Sequence, residues 1–197
     1  MKAIAIIQDE HRAITAVIEA LRHLVAEIAA GRMAPDHAVL GALFDYIEKY
    51  PERLHHPKED EFLFARLRVR CPEAAPLLDE LHREHVIGRR SFAELKAMWE
   101  RYRASPAALP AFVDGVERFS QFHWLHMRKE EEHVLPQAAE ALLPEDWEAI
   151  DEAFAANDDP MVGMPAGKAF RELFRRLVAI MPAPLGVGPA PTAPRRG

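Results

Sequence analysis

The sequence predicts an all-α protein, an antiparallel up-down-up-down four-helix bundle with short C-terminal helices. Apolar residues recur at intervals of three and four along four long segments, which is the spacing of one face of a helix. The connections between these segments are short, so consecutive helices can pack antiparallel. No segment alternates apolar and polar residues as a half-buried strand does, and no Asn-Gly turn joins two β-like segments.

Turn-forming residues set the bounds of the first two helices. The first predicted helix covers residues 9–30 and ends at Gly31. Asp36 is placed to cap the second helix, because its carboxylate can accept the free backbone N–H groups at a helix start. Pro51 and Pro57 lie inside this second helix, and each removes a backbone donor. We therefore expect the second helix to kink or split, with local widening beside Pro57.

The second half of the chain contains two more long helices. One covers residues 76–103, and the other starts near Ser105 and ends near Leu142. Shorter helices are predicted over residues 144–155 and 167–180. The predicted organisation is a bundle over residues 1–160, a helical extension over 161–182 and a flexible tail rich in proline and glycine over 183–197.

Composition excludes several classes of function. The 197 residues carry a net charge of -6, which disfavours nucleic acid and anionic membranes as partners. A single cysteine, Cys71, excludes an internal disulfide and any four-thiolate metal site. No apolar run reaches the roughly 20 residues that span a bilayer, and the first residues lack the long apolar region of a secretory signal. We therefore expect a cytoplasmic protein with neither a membrane nor a nucleic-acid partner.

Histidine and glutamate recur in a pattern that suits metal binding. His55 and Glu59 lie four positions apart, and therefore on one face of a helix, as do His126 and Glu130. One His-x-x-x-Glu pair arises easily by chance. A third pair, which begins at His23, is interpreted as an ordinary surface pair because it lies far along the first helix from the others.

The informative feature is an internal repeat. The first helix contains DEHR, with His11, and the third contains REHV, with His85. Each is followed at nearly the same distance by a His-x-x-x-Glu helix, in which KEDE matches KEEE. Two such units packed antiparallel bring four imidazoles and two carboxylates to the bundle centre. Nitrogen and oxygen donors without sulfur suit iron or manganese, and six side chains suit two metal ions that Glu59 and Glu130 can bridge.

These motifs together resemble the hemerythrin-like (HHE cation-binding) proteins. The resemblance rests on DEHR, HHPKEDEFLF, REH and HMRKEEEHVLP, one motif in each long helix, and covers about residues 5–160. It implies a four-helix bundle that holds two iron ions joined by an oxo or hydroxo bridge, for which manganese or zinc could substitute. The metal ligands that it implies are His11, His55, Glu59, His85, His126 and Glu130.

The chain departs from the oxygen-carrying hemerythrins, which have five histidines and a His-x-x-x-His pair on the third helix. Here Val86 and Arg89 stand four positions after His82 and His85, so that fifth histidine is missing. The set is closer to the four-histidine, two-glutamate site of the iron–sulfur repair di-iron proteins, although those carry an N-terminal segment with a cysteine. Fewer protein ligands leave open positions on the metals, which favours reaction with dioxygen, peroxide or nitric oxide.

The spacing leaves two of the ligand positions ambiguous. His56 could replace His55, and it would then pair with Asp60. By resemblance to hemerythrins with a five-residue spacing, Glu131 could bridge the metals in place of Glu130. Both alternatives keep the same four helices and the same donor types.

Other residues near the predicted site have a functional and an ordinary interpretation. His82 and His123 each lie three positions before a ligand, so either could contact a ligand or replace it, although boundary packing is commoner. Tyr46 and Tyr50 are interpreted as packing residues rather than metal ligands. The acidic residues that could accept a ligand imidazole N–H, or else be solvated surface charges, are Asp9, Glu10 and Glu84.

Three functions are compatible with this pattern. The favoured one is a di-iron protein that senses, scavenges or reacts with a small diatomic molecule or peroxide. The second is a ferritin-like oxidase or iron store, whose Glu-x-x-His signature occurs at Glu52–His55 and Glu130–His133 but out of register in the repeat. The third is a metal-free structural or partner-binding bundle. The sequence predicts neither turnover, nor an electron donor, nor an oligomeric state.

Overall fold

The computed structural model describes residues 1–156, and over this range it is helical and contains no β-strand. Four antiparallel helical rods occupy the described range, with one shorter helix after them, so the predicted fold class is confirmed. The first rod is helix α1 (Lys2–Ala29). The second consists of α2 (His37–Ile47), a π-helical segment (Glu48–His55), α3 (His56–Lys58), a second π segment (Glu59–Phe64) and α4 (Ala65–Arg70).

The third and fourth rods are joined by a single residue between helical turns. The third rod consists of a 3-10 turn (Pro72–Ala74) and α5 (Ala75–Ala104). The fourth consists of a 3-10 turn (Pro106–Ala108), α6 (Leu109–Lys129), a π segment (Glu130–Val134) and α7 (Leu135–Ala141). Helix α8 (Pro144–Ala155) then packs against α1 and confirms the short helix predicted there. The helix predicted over residues 167–180 and the predicted tail lie outside the described residues.

Helix α1 starts seven positions earlier than the apolar pattern predicted. Ala3 and Ile7 are fully buried in contact with the small core that includes α8. The Asp151 carboxylate on α8 accepts a hydrogen bond of 2.7 Å from the backbone N–H of Ala3. The early start therefore depends on a partner helix almost 150 residues away, which local periodicity cannot reveal.

The second rod stays helical through its prolines, but its hydrogen bonding changes. Asp36 caps it as predicted, and its carboxylate accepts from the backbone N–H groups of Ala38 and Val39. Pro51 lies inside the first π segment, and Pro57 lies in the three-residue α3 between the two π segments. Neither proline can donate to the carbonyl four positions earlier, so the rod widens into π-helix instead of breaking.

Two apolar cores occupy the two ends of the bundle. The large core joins α1, α2, α5 and α6, and its fully buried members include Ile18, Leu21, Leu43, Phe44 and Phe112. The small core joins the start of α1, the start of α5 and helices α4, α7 and α8, and its fully buried members include Ile7, Leu63, Leu78, Val134 and Ile150. A layer of buried polar side chains separates them. Leu125 is 60% exposed, because its neighbours His126 and Met127 take the inner face of α6.

No helix among residues 1–156 is both long and apolar enough to cross a membrane.

Candidate metal centre

The layer between the two cores contains the predicted ligands. The six predicted side chains converge there, and none is more than 2% exposed: His11, His55, Glu59, His85, His126 and Glu130. Each of the four rods contributes at least one of them. The internal repeat in the sequence thus corresponds to a single cluster in space.

Glu59 lies between three histidines from three different rods. Its carboxylate oxygens are 3.7 Å from Nε2 of His11, 3.3 Å from Nε2 of His55 and 3.5 Å from Nε2 of His85. The Nε2 atoms of His11 and His55 are themselves 3.1 Å apart. Two imidazoles bound side by side to one metal at about 2.1 Å would have their nitrogens roughly 3 Å apart, so this spacing fits a shared ion.

Glu130 occupies the equivalent position on the fourth rod. Its oxygens are 3.4 Å from Nε2 of His11, 3.6 Å from Nε2 of His85 and 3.2 Å from Nε2 of His126. Among the described residues, potential ligand atoms form three groups, each mutually within 4.8 Å, and two of these groups contain Glu59. One group contains His11, His55 and Glu59, and the other contains Glu59, His85, His126 and Glu130. Because Glu59 belongs to both groups, it is placed to bridge two metal positions.

The unsatisfied polar atoms of this layer show that its donor set fits metal ions. Both carboxylate oxygens of Glu59 and of Glu130 are buried without a hydrogen-bond partner, as are the Nε2 atoms of His85 and His126. An unpaired buried polar group costs about 1–3 kcal/mol, and more if it is charged. A cation in the layer would satisfy all of these atoms together, whereas close packing with apolar side chains would satisfy none.

The family model of the hemerythrin HHE cation-binding domain matches residues 2–138. The chain belongs to this family. The matched range contains all six converging side chains and ends inside α7, so α8 lies beyond it. Membership in a cation-binding family implies that the buried histidine and glutamate clusters bind metal ions. A comparison with curated proteins gave no match, and neither did one with solved structures.

In this hemerythrin domain a carboxylate from a neighbouring rod lies at Nδ1 of each converging histidine. The distances from Nδ1 to the carboxylate oxygen are 2.7 Å for His55 and Glu10, 3.0 Å for His11 and Glu131, 3.0 Å for His126 and Glu84, and 3.1 Å for His85 and Asp60. We call these four acids the outer carboxylates. Each rod holds the histidine of the next rod, so the four contacts form a closed ring around the bundle. Such contacts fix the imidazole orientation and leave Nε2 facing the metal position.

The carboxylates favour the protonated form of the histidines in the absence of metal. Burial lowers the pKa of His11, but the hydrogen bonds to carboxylates, with that to Glu131 the strongest, outweigh it and raise the pKa to about 10. Burial likewise lowers the pKa of His126, but Glu130 and Glu84 raise it to about 9. A bound cation would supply the positive charge that these protons supply otherwise.

The other candidate ligands considered from the sequence include one acid outside the layer, one exposed histidine and two tyrosines in the large core. Glu131 lies outside the layer, at Nδ1 of His11, whereas the Glu130 carboxylate lies within the layer, near Nε2 of the same histidine. His82 is exposed and lies 3.1 Å from Asp60. Tyr46 and Tyr50 pack in the large core, as predicted.

His56 is buried in addition to His55 rather than instead of it. Its ring stacks on His85 with centroids 4.5 Å apart. His123 is also buried, and its Nε2 lies 4.0 Å from Glu52. The sequence offered Glu52 only as part of the ferritin-like pair with His55, although it also lies four positions before His56, which is the spacing of neighbours on one helix face. Burial raises the pKa of Glu52 to about 7.

An open cavity of about 470 Å³ lies beside the centre, between the first and fourth rods. Its lining includes His11 and Glu131 together with Trp124 and Met127. The hydrogen bond between Glu131 and His11 therefore forms part of the wall between solvent and the layer.

Proposed function

We propose that this hemerythrin domain holds two iron ions in the polar layer and reacts with a small oxidant, namely dioxygen, peroxide or nitric oxide. The observation that carries the proposal is the sharing of Glu59 by two groups of potential ligand atoms, one of them completed by Glu130. A carboxylate common to two ligand groups is the arrangement of a bridged metal pair, in which the ions lie roughly 3.5–4 Å apart.

Donor chemistry supports iron or manganese over zinc. Imidazole and carboxylate donors without thiolate are typical of iron and manganese sites, and zinc prefers four ligands in a closed tetrahedron. Iron in such a site supplies redox chemistry toward small oxidants. The protein's own contribution is to hold the imidazoles by their Nδ1 atoms, to exclude water with the two apolar cores and to admit small molecules past Glu131.

The ferritin-like alternative lacks structural support. Its Glu-x-x-His signature requires both histidines to face the bundle interior. His133 is exposed, so the pair Glu130–His133 cannot serve as two ligands of one interior metal. The metal-free alternative would leave both oxygens of Glu59 unpaired in a buried layer.

Metal content and absorption test the proposal directly. The full chain is purified from iron-supplemented cells, and iron per chain is measured with the near-ultraviolet and visible spectrum. We expect about two irons per chain and charge-transfer bands that change on adding peroxide or nitric oxide.

Glu59→Ala combined with Glu130→Ala should abolish paired iron binding. The matched control is Glu61→Ala combined with Glu132→Ala, since these exposed acids follow the two ligands by two positions. A helical protein that binds no iron, or one zinc ion, would overturn the proposal.

A further inference from the structure

Helix α8 lies over the small-core half of the groove between the first and second rods. It contacts α1 and the π segment Glu59–Phe64, and its Asp151 holds the start of α1. The Phe154 ring lies 6.4 Å from the ring of His55, at the level of the polar layer. Helix α8 therefore ends where the large core begins, and residues 157–197 follow from this level.

An apolar cavity opens farther along the same two rods, in the large-core half. Its volume is about 400 Å³. Of the described residues that line it, Asp36 alone is charged, and both of its cap hydrogen bonds go to Oδ1. An apolar segment with basic side chains at its edge would therefore suit this cavity. The apolar lining comes from α1, α2 and the turn between them: Leu24, Ile28, Met33, Ala34, Val39 and Leu40.

The sequence of residues 167–180 has this chemistry. The helix predicted there would carry apolar side chains at intervals of three and four, which form one face: Phe170, Leu173, Phe174, Leu177 and Val178. Lys168, Arg175 and Arg176 would lie on the opposite face. A helix with one apolar face must bury it against another element, so this segment needs a surface that is apolar at its centre.

Opposite net charges favour the bundle itself as that surface. Residues 1–156 contain 19 basic and 28 acidic side chains, a net charge of -9. Residues 157–197 contain 6 basic and 3 acidic side chains, a net charge of +3. The cavity beside the metal centre includes Arg12 and Arg128 in its lining and lies between the first and fourth rods, so it suits the basic segment less well.

The chain is long enough to bring the segment to the cavity. From His11 in the polar layer to Ile28 at the cavity, α1 rises by about 26 Å. The ten residues 157–166 can span up to about 35 Å when extended. A helix over residues 167–180 would be about 21 Å long, which is close to the length of groove between the layer and the cavity.

We propose that residues 167–180 dock with their apolar face in the groove between α1 and α2, over this cavity, with a basic side chain at Asp36. The contact lies within one molecule. It continues, along the first two rods, the cover that α8 provides over the small core. The inference is independent of the bound metal, because the groove belongs to the apolar core and not to the polar layer.

Trypsin cleavage of the full chain tests the contact. Arg171, Arg175 and Arg176 are cleavage sites, and a docked helix is protected because cleavage requires local opening. Ala34 is exposed in the cavity wall, so Ala34→Arg adds a repelling charge without disturbing a helix, and Ala34→Glu is the matched control. We expect the segment to be cleaved about tenfold faster in Ala34→Arg, and at the unmodified rate or more slowly in Ala34→Glu.

Methyl NMR of the full chain locates the contact. Phe174→Ser combined with Leu177→Ser should move the methyl resonances of Leu24, Ile28 and Leu40, because these side chains lose an aromatic neighbour, and should leave those of the small core unchanged. The matched control is Glu172→Ser combined with Arg176→Ser, which changes the opposite face of the segment and preserves its net charge.

Three results would overturn the inference. The first is equal cleavage of the two Ala34 variants, or unmoved methyl resonances at the cavity. The second is sedimentation of the unmodified chain with vesicles of anionic phospholipid, which would assign the basic segment to a membrane surface. The third is protection from trypsin that is lost on dilution, which would assign the groove to the segment of a second copy.

Discussion

Each converging histidine has a different neighbour at each of its two ring nitrogens. The inner nitrogen faces the metal position, and the outer one faces an acid on a neighbouring rod. Because each outer carboxylate comes from a different rod than the histidine it holds, the orientation of every imidazole depends on the packing of two rods. The ligands are therefore oriented by tertiary structure and not by their own helices.

Removing an outer carboxylate should weaken metal binding without removing a ligand. We expect Glu10→Gln or Glu84→Gln to lower metal affinity by about 10–100-fold, because a neutral amide replaces the charged acceptor that orients the imidazole and raises its basicity. Competition with a chelator of known affinity measures the change. Glu61→Gln is the control, because this acid is exposed and should leave affinity unchanged. Equal metal affinities for all three variants would contradict a role for the outer carboxylates.

Metal affinity should rise with pH. The pKa of His11 is raised to about 10 and that of His126 to about 9, so both imidazoles hold a proton at neutral pH before metal binds. In the metal-free protein these raised pKa values contribute stability that is present below the ordinary histidine pKa and lost as the pH rises through about 9 to 10. Metal must displace the protons, so apparent affinity should increase from about pH 6 to about pH 8. Calorimetry in two buffers of different ionisation enthalpy measures the release, and a pH-independent affinity would contradict it.

The sequence allowed six converging residues to be predicted because the repeat specifies them twice. It also contained the outer carboxylates, since each is the chain neighbour of a converging residue: Glu10 before His11, Asp60 after Glu59, Glu84 before His85 and Glu131 after Glu130. Their partners could not be predicted, because each acid contacts a different rod. His55 and His56 could not be separated, since adjacent residues differ by about 100° on a helix and the π segments decide which sides face inward.

At the scale of elements, the π segments and α8 position the centre. Glu59 and Glu130 are each the first residue of a π segment. In both rods, therefore, the wider turn begins at a carboxylate that faces the buried polar layer. The prolines made a departure from regular α-helix predictable in the second rod, but the positions of the π segments depend on packing.

Helix α8 should be required for stability although it lies beyond the matched family range. Ile150 on α8 is fully buried in the small core, so Ile150→Ala should lower the free energy of unfolding by roughly 2–5 kcal/mol. Ile87→Ala is the matched control, because Ile87 is 50% exposed and should change the free energy by less than about 0.5 kcal/mol. Chemical denaturation followed by circular dichroism measures both variants. Equal effects would show that α8 does not stabilise the bundle.

At the scale of the molecule, a polar layer divides two apolar cores. The fold class followed from helical periodicity alone, because both cores are built from the same apolar stripes. The division was not predictable from periodicity, since the ligand histidines occupy inward positions within continuous helices. The buried charges of this layer must be neutralised for the two ends of the bundle to pack together stably.

Metal loading should therefore raise the melting temperature. A ligand at 1,000 times its dissociation constant stabilises a protein by about 4 kcal/mol. For a chain of this size that corresponds to a shift of about 10 °C. Calorimetry of the chelated and iron-loaded protein measures the difference. The variant with alanine at both Glu59 and Glu130 should show no shift, and an equal shift in this variant would place the bound metal elsewhere.

With iron bound as proposed, the layer between the cores would be an internal chromophore. Every rod crosses it, so an opening of the small core displaces ligands even while the large core and most helical hydrogen bonds persist. The visible absorption of bound iron would then fade before the helical circular dichroism does. The visible absorption would therefore report whether the two cores are still packed on either side of the layer. If the bundle unfolds cooperatively, the visible absorption and the circular dichroism would change together.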